Sequence, residues 1–136
     1  DEMGRRAKMY RKIGDEFVAD DFAHEQSVVF ETGKGLVIFN SCSHGGIVNI
    51  VREVQMALGG QKVYAVVGGF HMMKLSGMDT LAIPEEEVVK TAQELKELGV
   101  EEIYTGHCTG NIAFGILKKE LGEMVHALGT GETVIF

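Results

Sequence analysis

The polar and apolar positions of this chain fall into a repeating arrangement. Short apolar runs lead into glycine-bearing segments, and these lead into stretches whose apolar residues recur every three or four positions. The short runs, residues 27–31 (SVVFE), 36–40 (LVIFN), 63–67 (VYAVV) and 102–105 (EIYT), predict strands. Residues 36–40 are apolar on both faces, as in a strand at the middle of a covered sheet. The periodic stretches predict three helices. One runs over 47–58, with Ile47, Ile50, Val51, Val54 and Leu58 on one stripe, and Gly59-Gly60 stops it. A second starts at Pro84, with Glu85, Glu86 and Glu87 at its positive end, and ends near residue 98 at Gly99. Its inner face is Val88, Val89, Ala92 and Leu95. The third spans 111–121 and stops at Gly122.

The ends of the chain are less regular. Residues 1–13 predict a weak helix with Met3, Ala7 and Tyr10 on one face, and 15–22 an irregular acidic lead-in anchored by Phe17, Val18 and Phe22. Thr32-Gly33-Lys34-Gly35 predicts a hairpin turn, and Gly129-Thr130-Gly131 a second one between strands at 124–128 and 132–136. The order is ββαβαβαββ, an α/β domain with helices packed on a mixed sheet. Its three β-loop-α units place their loops on one sheet edge if the crossovers share the usual hand.

Composition narrows the function. At 136 residues the chain is one domain or less, with 45% hydrophobic and 24% charged residues, 18 glycines and one proline. A net charge of −7 argues against a nucleic-acid partner. The one basic cluster, Arg5, Arg6, Lys8, Arg11 and Lys12, reads as a solvated helix face. No apolar run approaches the ~20 residues of a membrane span, and no signal peptide is legible, so a cytoplasmic protein with no membrane partner is expected. The first residue is Asp1 rather than Met, which points to a processed product or a piece of something longer. Cys42 and Cys108 each stand close to a histidine, a pattern of ligand or redox chemistry in a reducing compartment rather than of a disulfide framework.

The candidate chemistry lies in the loops. Three of five histidines follow predicted strand ends directly, in the small-residue segments SCSHGG (His44), GGFH (His71) and TGHCTG (His107). Such loops let backbone approach a ligand, and neutral imidazole is a common metal ligand. The joint reading is a metal or catalytic site on this edge. His71, before Met72 and Met73, can equally pack under a long loop; His24 reads as a surface residue and His126 as a strand residue. Glu25 is a candidate acid, or an acceptor that supports a ligand from behind. Cys42 and Cys108 can be thiolate ligands, a redox pair or small fillers, with filler preferred for Cys108. A Cys-His nucleophilic dyad lacks a third orienting residue. The glycine-rich loops match neither a Walker loop nor the dinucleotide fingerprint, so any phosphate here belongs to a substrate.

Assembled, these segments resemble the C-terminal half of the metallo-β-lactamase superfamily. They are most similar to its metal-dependent hydrolases of the dihydropterin-ribofuranosyl-aminobenzene-phosphate synthase type. The likeness runs from Asp20-Asp21-Phe22 and Glu25-Gln26-Ser27 through Lys34 to Ile38, Ser41 to Ile50 and Gly68 to His71, ending at Gly106 to Gly110. The resemblance implies half of an αβ/βα sandwich over residues 20–136, with 1–19 as a lead-in. It implies His44 and His107 as metal ligands, Cys42 as a ligand or the replacement of one, and His71 as a substrate contact or proton donor. The metal implied is Zn²⁺ or another divalent ion such as Mn²⁺ or Fe²⁺, and the reaction is hydrolysis of an ester or phosphoester in a small molecule that can be phosphorylated. The superfamily's His-x-His-x-Asp-His motif is absent. The chain alone is therefore expected to turn over little, and to self-associate or pair with a missing N-terminal half. The alternative is a non-catalytic α/β module that binds a ligand or partner at the glycine-rich edge.

Overall fold

The computed structural model describes residues 9–136. Two short strands, β1 (Tyr10–Ile13) and β2 (Glu16–Ala19), pair antiparallel with each other around Gly14-Asp15. A five-stranded sheet follows, in the spatial order β3 (Ser27–Thr32), β4 (Gly35–Asn40), β5 (Val63–Gly68), β6 (Glu102–Thr105), β7 (Val125–Ala127). β3 and β4 form the expected hairpin, with Thr32 opposite Gly35, and the remaining pairs are parallel. Three helices bridge successive parallel strands: α1 (Ile47–Ala57), α2 (Glu85–Glu97) and α3 (Asn111–Leu121).

Because each parallel strand lies beside the one before it, crossovers of one hand stack all three helices on one sheet face. The buried helix residues show the spacing this needs: Ile47, Ile50 and Val51 on α1, Val88, Ala92 and Leu95 on α2, and Ala113, Leu117 and Leu121 on α3. They pack on Leu36, Ile38, Val63, Val66, Ile103 and Val125 to form the main core. On the opposite face, among the described residues, a smaller cluster of Val37, Ala65 and Val67 is buried under Phe39, Tyr64, Tyr104, Leu128 and Phe136. No helix among the described residues is long and apolar enough to cross a membrane.

The structure corrects three expectations at the chain ends. Tyr10 to Ile13, expected in a helix, form β1; Met3 and Ala7, and Arg5, Arg6 and Lys8 of the basic cluster, lie outside the described residues. The acidic stretch expected to be irregular contains β2, because Glu16 to Ala19, with Phe17 and Val18 favouring an extended strand, can close on β1 through the Gly14 turn. The last expected strand, 132–136, does not form: the chain leaves the sheet after Ala127, and Phe136 folds edge-on against Phe39 and Tyr104.

Candidate functional site

Parallel β4, β5 and β6 end on the same sheet edge, so the loops after them, 41–46, 69–84 and 106–110, meet there. Backbone hydrogen bonds tie them together. Gly69 N–H donates to Ser41 C=O at 2.7 Å, and Met72 and Met73 N–H donate to Cys108 C=O at 2.9 and 3.1 Å. Buried Thr105 and Thr109 add a hydroxyl pair 2.6 Å apart; Thr105 donates to Gly68 C=O and Thr109 accepts from Phe70 N–H. Asn40, with its amide nitrogen on Ser27 Oγ and Gln26 C=O and its oxygen accepting from Ser43 N–H, fixes the first loop to β3. At Gly69 there is no room for more than hydrogen, since a Cβ would stand 2.5 Å from Cys108 Sγ.

Among the described residues, four that are not glycine hold positive φ: Phe22 (52°), Ser43 (55°), His71 (49°) and His107 (50°). L-residues resist this region, and such strain persists only where the surroundings over-determine it. All four lie in the loops that build this edge or, for Phe22, against His44.

The site side chains fall into two groups. The first is built on Glu25. Its Oε1 accepts from His44 N–H at 2.8 Å and lies 3.1 Å from His44 Nδ1, while Oε2 accepts from Gly45 N–H at 3.0 Å. This assigns a proton to Nδ1 and leaves His44 Nε2 without a hydrogen bond among the described residues. The His44 ring stacks on Phe22 at 4.6 Å and lies 4.4 Å from the His71 ring. His71 has a buried Nδ1 with no hydrogen-bond partner among the described residues. Burial first, then the neighbouring His44, push its pKa below the ordinary imidazole value, against a smaller pull from Glu25. His71 is thus a neutral imidazole facing a cavity of about 350 Å³ that Gly46, Arg52, Phe70 and Lys90 also line.

Cys42, His107 and Cys108 make up the second group, with their donor atoms all within 4.8 Å of one another. Cys108 is buried, Cys42 half-buried and His107 exposed. Cys108 Sγ accepts from His71 N–H at 3.3 Å, and its S–H points to Cys42 C=O at 3.7 Å. Burial pushes this thiol up to about 12. The His71 N–H bond is the link between the two groups.

Each expected site residue thus reaches this edge, but they do not share one cluster: His44 and His71 stand with Glu25, and His107 and Cys42 with Cys108. His24 is exposed beside Asp20, and His126 lies on the outer sheet face, bonded to Glu102 at 2.6 Å and stacked on Tyr104. Sequence reasoning missed the stacking role of Phe22, the threonine pair and the sulfur contacts of Cys108. For Cys108 a signal existed, in the His-Cys adjacency opposite a second cysteine. The donor chemistry fits a divalent ion: the free Nε2 of His44, the orphaned Nδ1 of His71, and imidazole beside two thiols.

No model of a known protein family matches the chain. It is 37% identical over 128 residues to the 7,8-dihydropterin-6-methyl-4-(β-D-ribofuranosyl)-aminobenzene-5′-phosphate synthase of Methanocaldococcus jannaschii, an alignment covering 94% of this chain and 41% of that protein. It also superposes, at a TM-score of 0.82 and 31% identity, on the crystal structure of a metal-dependent hydrolase of the β-lactamase superfamily. The chain matches half of a β-lactamase-superfamily protein. The superposition covers 93% of this chain and 46% of the crystal structure, so the chain spans less than half the length of each of these relatives. Those shares agree with the C-terminal half expected from sequence, and the mixed sheet with packed helices agrees with the fold expected.

Proposed function

We propose that this chain supplies one half of the active site of a metal-dependent hydrolase acting on an ester or phosphoester of a small molecule. His44, His107 and Cys42 would hold the metal, and His71 would orient the substrate or move a proton. A divalent ion bound here lowers the pKa of water and polarises the bond to be broken. The chain's own residues do the rest. Glu25 holds His44 by Nδ1 so that Nε2 is presented as a ligand, the carboxylate–imidazole arrangement that orients metal-bound histidines. This contact is the observation that carries the reading. His71, whose pKa burial lowers, is suited to accept a proton as a neutral imidazole. The name of the methanogen relative includes a 5′-phosphate, which supports a phosphorylated substrate.

The His-x-His-x-Asp-His ligands are absent from the sequence, so the chain by itself should bind metal and hydrolyse little. Zinc titration with calorimetric readout tests this in the chain itself and in His44→Ala and His107→Ala variants. The expected outcome is binding by the parent chain, weakening by about tenfold or more in each variant, and ester hydrolysis close to background. Undiminished zinc affinity with both histidines replaced would overturn the ligand assignment. Robust turnover by the chain alone would show that the missing motif is not needed.

A further inference from the structure

We propose that Cys42, His107 and Cys108 form a thiolate-rich metal site in which Cys108 is a direct ligand, selecting a thiophilic ion of the zinc class over magnesium, calcium or manganese. This rests on the reading that the loop edge holds a metal, and adds to it a ligand and a rule for metal choice.

The geometry is close to what such an ion needs. With Zn–S bonds of about 2.3 Å and Zn–N bonds of about 2.0–2.1 Å, tetrahedral donors stand roughly 3.5–3.8 Å apart. Here all three donor atoms lie within 4.8 Å of one another, a gap that side-chain rotation can close. Cys108 Sγ already accepts the His71 backbone N–H at 3.3 Å, the kind of bond that would also stabilise a thiolate once a metal displaced its proton. Gly69 lets the sulfur sit between the loops, where a Cβ would stand 2.5 Å from it. His107 gains little from packing, since it is exposed, yet it is held at a φ of 50°. Half-buried Cys42 and exposed His107 leave an entry path, and a fourth position remains for His44 or for water. Two sulfurs and one imidazole form a soft donor set, whereas magnesium, calcium and manganese prefer oxygen. On binding, each thiol gives up its proton to solvent, so one divalent ion releases two protons and no electrons move.

Cobalt(II) is the probe, added to the 136-residue chain under a phosphine reductant so that no buffer thiol competes. Thiolate ligation should give an intense near-ultraviolet sulfur-to-cobalt charge-transfer band that zinc abolishes and excess magnesium or manganese leaves in place. Cys108→Ser should lower the band by about half and Cys42→Ser likewise, with the double variant losing it. Far-ultraviolet circular dichroism establishes that each variant is folded. Should Cys108→Ser not fold, zinc protection of both thiols from alkylation in the unaltered chain, read by mass spectrometry, decides the same point. Calorimetric cobalt binding without the band, a band indifferent to Cys108→Ser, or alkylation of Cys108 unaffected by zinc would overturn this inference while leaving the His44 and His107 assignment standing. No metal binding at all would overturn both.

Discussion

Glu25 uses both carboxylate oxygens on a single loop, accepting two backbone N–H groups and contacting one ring nitrogen. A glutamine there keeps one acceptor and aims an NH₂ at a donor. Glu25→Gln should therefore cost roughly 1–3 kcal/mol in urea denaturation and lower zinc affinity by about 10- to 100-fold. If both quantities were unchanged, Glu25 would not be what positions His44. His71 makes the complementary case. Its pKa is lowered in the folded chain, chiefly by burial, so the unfolded chain binds the proton more readily. The stability this contributes is complete above the unfolded imidazole value of about 6.5 and is lost as pH falls through the lower folded value. In chelator, thermal midpoints should decline over that acid range, and the decline should be shallower in His71→Asn, since asparagine tolerates the left-handed backbone held there. An identical slope in the variant would assign the acid sensitivity to other groups.

The elements divide by how much of their folding is local. Helices α1, α2 and α3 were legible to within a residue or two because each carries an apolar stripe and is followed by a glycine stop. Strands β3 to β6 were legible because apolar runs bounded by glycine loops have few alternatives. The misses fall where pairing depends on a partner elsewhere. Tyr10 to Ile13 are compatible with a helix turn or with a strand, and only closure on Glu16 to Ala19 decides between them. The terminal hairpin signal at Gly129 to Gly131 was real turn chemistry, but Phe136 finds more apolar contact on Phe39 and Tyr104 than in a strand beyond β7. At the site, the three loop histidines were legible. Their division into two groups was not, because it depends on the crossing of Cys108 beneath His71. Among the described residues, β1 and β2 form a two-stranded sheet of their own, and the Arg11–Asp21 ion pair at 2.8 Å ties it to the following loop. Both partners are solvent-exposed, so screening leaves that tie weak. A chain starting at Asp20 should keep the circular dichroism spectrum and melt within about 4–8 °C of the longer chain. Loss of cooperative melting would make residues 1–19 part of the fold rather than a lead-in to it.

At the scale of the molecule, the decisive asymmetry is between the two faces of one sheet. Three helices cover one face; on the other, a chain of edge-on aromatic contacts, Phe30 on Phe39, Phe39 on Phe136 and Phe136 on Tyr104, shields only the middle. Toward β3, Val28 and Phe30 remain 55% and 57% exposed, and among the described residues β3 is an edge strand whose outer side pairs with no other strand. Exposed apolar surface beside a free strand edge favours association. Both relatives are more than twice as long as the part this chain matches, so they contain further chain that could cover the equivalent face. Without such a covering half, the prediction is self-association through β3. The net charge of −7 opposes this, so association should strengthen as salt screens it. Sedimentation velocity across a range of concentrations reads the outcome. The unaltered chain should shift toward dimer or higher species as concentration and salt rise. The double variant Val28→Thr and Phe30→Thr, which keeps strand propensity while removing apolar area, should stay monomeric. Its zinc affinity should not change, because neither residue lies in the loops after β4, β5 and β6. A parent chain that sediments as a monomer at every concentration and salt level would remove the open sheet face as an interaction surface.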